Sequence, residues 1–331
     1  MTDNQLPPER LDRFRSDLDA LAASAARIGI AVSGGPDSLA LLLLAAAARP
    51  GRIEAATVDH ALRPESRAEA DQVADVCARL GVPHTILPIA WETTPETALQ
   101  ERAREERYRL LGDWAGERGL DAIATAHHAD DQAETLLMRL NRGAGVRGLG
   151  AIRPNSAVPG TGTDLIRPLL AWRRSELEAI CVSAGVQPIA DPSNADDRYE
   201  RIRVRQGLAD AQWLDPTAIA KSAAHLAAAD EALDWMAQSL ALVRVTDDGE
   251  ALRVDPEGLP PELQRRLLLI AFARFEANEP RGSDLARALA ALDLGRTVTL
   301  AGLKLEGGSF WRVTKAPPRA RSAAEPDSTS A

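Results

Sequence analysis

The chain predicts an α/β protein, a doubly wound parallel sheet followed by a smaller, mainly helical C-terminal domain. Three observations carry this. Short apolar runs at 28–32, 53–58, 84–89 and 122–125 alternate with helix-like stretches, the rhythm that returns each strand parallel to the last. The composition then changes near Asp215-Pro216, beyond which Ala/Leu-rich amphipathic stretches dominate. The length, 331 residues, suits two domains at about 150 residues each. The expected division is 1–215, 216–316 and a Pro/Ser/Ala-rich tail at 317–331, too poor in apolar residues to fold.

Residues 9–26 predict a short amphipathic helix. Ile28–Val32 reads as a buried strand, Ser33-Gly34-Gly35 as a turn, and Pro36–Ala48 as a helix whose proline costs nothing in the first turn. Ile53–Val58 is a second strand ending at Asp59-His60. A helix over Glu65–Leu80 leads to a third strand, His84–Ile89. A long Arg/Glu-rich helix, Glu96–Arg118, precedes the fourth strand, Ala122–Thr125, and the helix Asp130–Arg142. In such sheets ligands sit at the carboxyl ends of strands, where Ser33, Asp59 and His127 would lie. Residues 143–168 predict a loop with a short hairpin. Ser175–Ala184 is a helix, Asp191–Asn194 a turn and Arg198–Arg205 a basic segment. Helix is expected from Thr217 to about Leu294, and a closing β-hairpin over Thr297–Val313.

Composition excludes several function classes. The longest strongly apolar stretch, Leu39–Ala48, is too short to span a bilayer, and the N-terminus has no signal-peptide core. Two cysteines, Cys77 and Cys181, cannot build a disulfide framework or a Cys-rich metal site. A cytoplasmic protein without membrane partners is expected. Lysine occurs only at 221, 304 and 315, which excludes a Walker-type phosphate lysine or a Schiff base in the first domain. The net charge of −9 speaks against non-specific nucleic-acid binding by the whole chain. Locally the balance inverts. Arg139, Arg142, Arg147 and Arg153 fall in a stretch without acidic residues, followed by Arg167, Arg173, Arg174, Arg198, Arg201, Arg203 and Arg205. A basic face beside the strand ends follows if these arginines cluster.

Two segments carry chemistry. Ser33-Gly34-Gly35-Pro36-Asp37-Ser38 joins a strand to a helix. Glycines let backbone amides approach a phosphate, the hydroxyls add donors, and Asp37 is suited to a magnesium ion bridging phosphates. Alone, the segment also serves as an ordinary strand-to-helix turn, and Asp59-His60 as ordinary strand-end polarity. The second segment is Thr125-Ala126-His127-His128-Ala129-Asp130-Asp131-Gln132-Ala133-Glu134. Adjacent histidines diverge at a strand end, unlike a zinc motif with one helical turn between its ligands. Asp130 is expected to cap the helix. Asp131 and Glu134, three apart, share one face and suit a magnesium ion or a cationic substrate.

The S-G-G-x-D-S pattern resembles the pyrophosphate-binding loop of N-type ATP pyrophosphatases, which cleave ATP to AMP and pyrophosphate. The second segment, continuing through Leu137 to Leu149, resembles the hallmark of the tRNA(Ile)-lysidine synthetase family. Ala103-Arg104 with Arg107-Tyr108, Ile166-Arg167-Pro168-Leu169-Leu170 with Arg173 and Glu176, and Asp191-Pro192-Ser193-Asn194 followed by Arg201, Arg203 and Arg205 resemble further motifs of that family, in order. Ile202 departs from it, standing where Asn is common. The likeness spans roughly residues 25–215, and the second domain is shorter than in some members.

The resemblance implies ATP and Mg2+, free L-lysine and a tRNA(Ile) with anticodon CAU, whose wobble cytidine becomes lysidine. That change moves reading from AUG to AUA and identity from Met to Ile. The implied ATP site is Ser33, Gly34, Gly35, Pro36, Asp37, Ser38, Asp59 and His60, with Asp37 as the metal ligand. Asp131 and Glu134 would hold the lysine ammonium. Arg107 would stabilise phosphate charge, and His127 would bind phosphate or move a proton. Arg139, Arg142, Arg147, Arg173, Arg201 and Arg205 would face tRNA. A homodimer is compatible with the sequence. The alternatives are another tRNA-modifying enzyme of the superfamily, such as a thiolase, and a non-catalytic nucleotide-sensing or tRNA-binding module. The first usually needs a reactive cysteine pair. The second would tolerate loss of Asp37, Asp131 or Glu134, all of which are present.

Overall fold

The computed structural model describes residues 6–60, 66–91, 99–189 and 200–317. It divides into two compact units, 1–228 and 229–331.

The first unit is built on a six-stranded sheet in the order β3-β2-β1-β4-β6-β5. The strands are β1 (Ile28–Ala31), β2 (Ile53–Asp59), β3 (His84–Pro88), β4 (Ala122–Ala124), β5 (Asn155–Ala157) and β6 (Asp164–Ile166). All pairings are parallel except β5 on β6. β1 is paired on one side with β2 and on the other with β4, so the strand order reverses at its carboxyl end and opens a crevice there. The four predicted strands are all present. The predicted 143–168 hairpin is also present, but its second strand extends the parallel sheet, and a short helix, α6 (Val146–Leu149), precedes it.

Helices cover both faces. On one, α2 (Pro36–Ala48) packs between α1 (Pro8–Asp19) and α7 (Arg174–Ser183). Its sequence is apolar all round, as a helix enclosed by neighbours requires. The same core includes Val73, Val76 and Cys77 of α3 (Ser66–Leu80). On the other face, α4 (Leu99–Arg118) lays Tyr108, Leu111, Trp114 and Ala115 on the sheet. Helix α5 (Ala129–Asn141) follows β4, and α8 (Glu200–Asp210) packs on α5. The predicted turn at Asp191–Asn194 lies outside the described residues.

Helix α9 (Pro216–Arg244) carries the boundary between the units. Here the expectation of helix to Leu294 needs correction. Two strands, β7 (Val245–Asp248) and β8 (Ala251–Val254), interrupt it before α10 (Pro261–Arg274) and α11 (Gly282–Asp293). The expected final hairpin is three strands, β9 (Thr297–Leu300), β10 (Leu303–Glu306) and β11 (Trp311–Lys315), completing an antiparallel sheet β7-β8-β11-β10-β9. Its period-two pattern buries Leu303, Leu305, Trp311 and Val313 and turns Lys304 and Arg312 outward. Inside this unit the buried Arg266 pairs with Asp230, Asp234 and Glu262, tying α10 to α9. No helix among the described residues is long and apolar enough to cross a membrane.

Candidate active site

The loop from β1 to α2 lies in the crevice. Gly34 adopts φ +85°, and a Cβ there would meet Ile189 Cδ1 at 2.4 Å, so both conformation and space demand glycine. Ile189 N–H donates to the Gly34 carbonyl at 2.9 Å, pinning the loop. Ser38 Oγ accepts from Ser33 N–H at 3.1 Å and from the Ser33 hydroxyl at 3.2 Å, and donates to the Gly35 carbonyl at 3.0 Å. The two serine hydroxyls therefore brace the loop. The first-turn amides of α2, which have no partner within their helix, are left for an anion.

Beside the loop lies a cavity of about 380 Å³, walled by Ser33, Thr57, Asp59, His60, Arg107 and Leu111. That volume suits a nucleoside. Asp59 and His60, at the end of β2, thus line this cavity. Ser66 Oγ donates to Asp59 Oδ1 at 2.7 Å. Burial, reinforced by the Arg107 charge, lowers the His60 pKa. Burial also lowers that of Arg107, whose side chain lines the same cavity.

The second segment closes the crevice from β4. The adjacent histidines diverge, as expected. Thr125 Oγ1 lies 3.0 Å from His127 Nδ1. Burial brings His127 down to about 4 against the pull of Asp131, with Arg167, Arg107 and Arg201 adding to the lowering, so it is neutral near pH 7. His128 turns the other way and is buried. Its Nε2 stands 3.4 Å from Asp37 Oδ2 and 3.5 Å from Asp131 Oδ2, and its Nδ1 3.5 Å from Asp130 Oδ2. Burial alone would lower its pKa. The carboxylates of Asp130, Asp37 and Asp131 overcome that and raise it to about 10.

Asp130 is not the helix cap. The N-cap is His128, whose N–H donates to Asp131 Oδ2 at 3.1 Å. Asp130 instead accepts Arg174 N–H at 2.9 Å and pairs with Arg173 at 3.1 Å. Its burial would raise its pKa, but these bonds and His128 hold it below the usual carboxylate range. Glu134 differs from the expected exposed carboxylate. It is buried, with Arg205 Nε at 2.6 Å and Arg201 Nε at 2.9 Å. Helix α8, which brings those arginines, accounts for the difference.

The six arginines assigned to tRNA divide accordingly. Arg201 and Arg205 serve Glu134, and Arg173 serves Asp130 and Asp215. Arg139 donates to the carbonyls of Gly148 and Ala151, folding the loop after α5 onto the helix. Arg142, paired with Glu200, and Arg147 are exposed. Sequence reasoning gave no role to His128, although the His-His-x-Asp-Asp run was its signal. Cys181, remote from the loop in sequence, lies beside it in space, its thiol 3.3 Å from the Pro36 carbonyl. Burial, then Asp37 and Glu178, push it up to about 11, and burial pushes Cys77 to about 12, so both remain thiols.

Asp37 has one oxygen facing His128, while Oδ1 is buried without a hydrogen-bond partner. That orphaned acceptor fits a hard cation. Among the described residues no group of three or more His, Cys, Asp and Glu side chains is arranged to hold a metal by itself. Any such ion would therefore complete its shell with phosphate oxygens and water, as magnesium does.

Comparison with known proteins bears on this geometry. Residues 9–212 match the model of a PP-loop domain. The chain is 49% identical to a tRNA(Ile)-lysidine synthase of Novosphingobium aromaticivorans, over 95% of this chain and 96% of the relative. It is 43% identical to one of Zymomonas mobilis, with the same coverage of each chain. Among solved structures it resembles a U34-tRNA thiolase from Methanococcus maripaludis with a [4Fe-4S] cluster. That match has a TM-score of 0.54 at 17% identity, covering 66% of this chain and 77% of the other, a likeness of fold.

Proposed function

Because the chain belongs to the tRNA(Ile)-lysidine synthase family, we propose that it joins free L-lysine, through its ε-amine, to ring position two of the wobble cytidine of tRNA(Ile) with anticodon CAU. The supporting observation is that the phosphate-loop carboxylate Asp37 and the α5 carboxylate Asp131 adjoin one buried imidazole, while Ser33 of the same loop walls a nucleoside-sized cavity. Triphosphate and lysine subsites then share a wall.

ATP places its nucleoside in the cavity at Asp59 and His60 and its phosphates against the amides of Gly34, Gly35, Asp37 and Ser38. Asp37, through its unpartnered oxygen, would hold a magnesium ion, which supplies charge neutralisation to the triphosphate. Arg107 faces the phosphates and stabilises the charge that develops there. The wobble base leaves its stack to reach the α-phosphate. The carbonyl oxygen at its ring position two attacks the α-phosphorus, pyrophosphate departs, and that oxygen, now part of an AMP ester, becomes a good leaving group. Asp131 takes the lysine ammonium first, since Arg201 stands 3.9 Å from it whereas Arg205 and Arg201 hold Glu134 at 2.6 and 2.9 Å. The ε-ammonium gives up a proton, which His127, neutral, relays onward from one ring nitrogen to the other. The amine then attacks carbon two, the carbon–oxygen bond breaks, and AMP leaves with the former base oxygen.

Residues 1–215 are proposed as the catalytic part. Of the basic side chains, Arg142 and Arg147 are the exposed pair proposed to meet tRNA phosphates. Thiolation would need a reactive thiolate, and burial keeps Cys77 and Cys181 protonated. The test is isotopic. With heavy oxygen at ring position two of the wobble cytidine, the label should be recovered in AMP. Label retained in the tRNA, with AMP carrying oxygen from the lysine carboxylate, would refute the mechanism.

A further inference from the structure

We propose that His128 is a positioning residue that sets the spacing between the ATP-side carboxylate Asp37 and the lysine-side carboxylate Asp131, and so couples the two subsites. The proposal rests on the reading of those carboxylates given above. Its basis is geometric. β1 and β4 are adjacent and in parallel register, Ile28 beside Ala122 and Ile30 beside Ala124. The helices that follow them, α2 and α5, therefore bring their first turns together, and with them Asp37 and Asp131. Two carboxylates so placed repel each other unless a donor stands between them.

One atom does so, His128 Nε2, 3.4 Å from the first carboxylate and 3.5 Å from the second. The other ring nitrogen faces Asp130 at 3.5 Å, and Asp130 is anchored by Arg173 and by Arg174 N–H. The ring thus backs onto a carboxylate fixed by the segment that opens α7, without a hydrogen bond from Nδ1 to it. At 2% exposure it cannot itself touch substrate. It acts through the carboxylates on either side.

The test compares His128→Gln, His128→Asn and His128→Ala in the full chain. A glutamine amide nitrogen reaches about as far as Nε2, whereas asparagine reaches only the Nδ1 position. In His128→Ala and His128→Asn the KM for ATP and for lysine should both rise, by about tenfold. kcat should fall by about a hundredfold, the cost of a displacement of about 1 Å. His128→Gln should recover kcat to within about tenfold of the parent. Leu136→Ala, a core change on the same helix, controls for a purely structural role. It should lower thermal stability while leaving both KM values in place.

Folded His128→Asn with both KM values unchanged, or with only one moved, overturns the proposal. So does His128→Gln as impaired as His128→Asn. Asp131→Asn, run in parallel, separates this from the reading beneath it. If that variant does not raise the lysine KM, the assignment of the lysine subsite fails. If it does, while the His128 variants bind both substrates normally, only the spacing role fails.

Discussion

Replacing His127 by glutamine should remove most of one pH-dependent contribution to stability. In the folded protein, burial and three nearby arginines bring His127 from 6.5 to about 4. A histidine depressed in this way binds its proton more readily when unfolded. Its contribution to stability is therefore fully present above pH 6.5 and is lost as pH falls through about 4. The difference corresponds to about 3 kcal/mol, and partial exposure of the ring brings the expected effect to about 2–3 kcal/mol. Urea denaturation followed by circular dichroism from about pH 7.5 to about pH 4 would measure it. The parent should lose that much more than His127→Gln over this interval, with little difference in slope above about pH 7. A proton resonance of the His127 ring titrating near 6.5, or parallel stability curves for the two proteins, would refute the reasoning and with it the neutral imidazole assigned to proton transfer.

Other perturbations follow from the same geometry. Asp37→Ala should fold but lose pyrophosphate release by about a hundredfold or more, measured with a coupled phosphate assay; near-normal release would remove its role. Glu134→Gln leaves Arg201 and Arg205 without their carboxylate. Both reach solvent, so the cost should be about 1–3 kcal/mol in chemical denaturation, below the range for a wholly buried pair, and the KM should rise more for lysine than for ATP. Equal changes in the two KM values would point to a metal role instead. Arg142→Ala combined with Arg147→Ala should flatten the log–log dependence of tRNA affinity on salt by about 1.5, at about 0.7–0.9 per phosphate contact. An unchanged slope would place the tRNA elsewhere.

The sheet of the first unit was legible because its strands are short apolar runs between turn signals. Helix α2 was legible because Pro36 and a ten-residue apolar stretch define it. The strands β7 and β8 were not, although Asp248-Gly249 with its positive φ is a hairpin signal; the Ala/Leu content on either side outweighed a turn flanked by only four residues each way. At the site, sequence spacing placed Asp131 and Glu134 on one helix face but said nothing of what that face meets. The burial of Glu134 depends on α8, 67 residues further on, and spacing within α5 contains no trace of it. The same holds for Arg139, which reads as a tRNA contact among its neighbours and becomes a loop anchor once the chain turns back to Gly148 and Ala151. Asp130 looked like a cap because helix starts favour aspartate. The residue two places earlier took that position, freeing Asp130 for a partner on another helix.

Gly29 lies in the middle of β1, far from any hydroxyl, carboxylate or guanidinium of the site. A Cβ there would stand 2.5 Å from the Trp114 ring and 2.9 Å from Leu120. Trp114 follows Arg107 by seven residues, about two turns, and so rides the same side of α4. A missing methyl group on the strand thereby fixes how deep the helix sinks, and the helix in turn fixes how far its guanidinium extends over the cavity lined by Ser33 and His60. The glycine behaves as a shim in a precision mount. It contributes no chemistry, but its thickness sets the reach of the part that does.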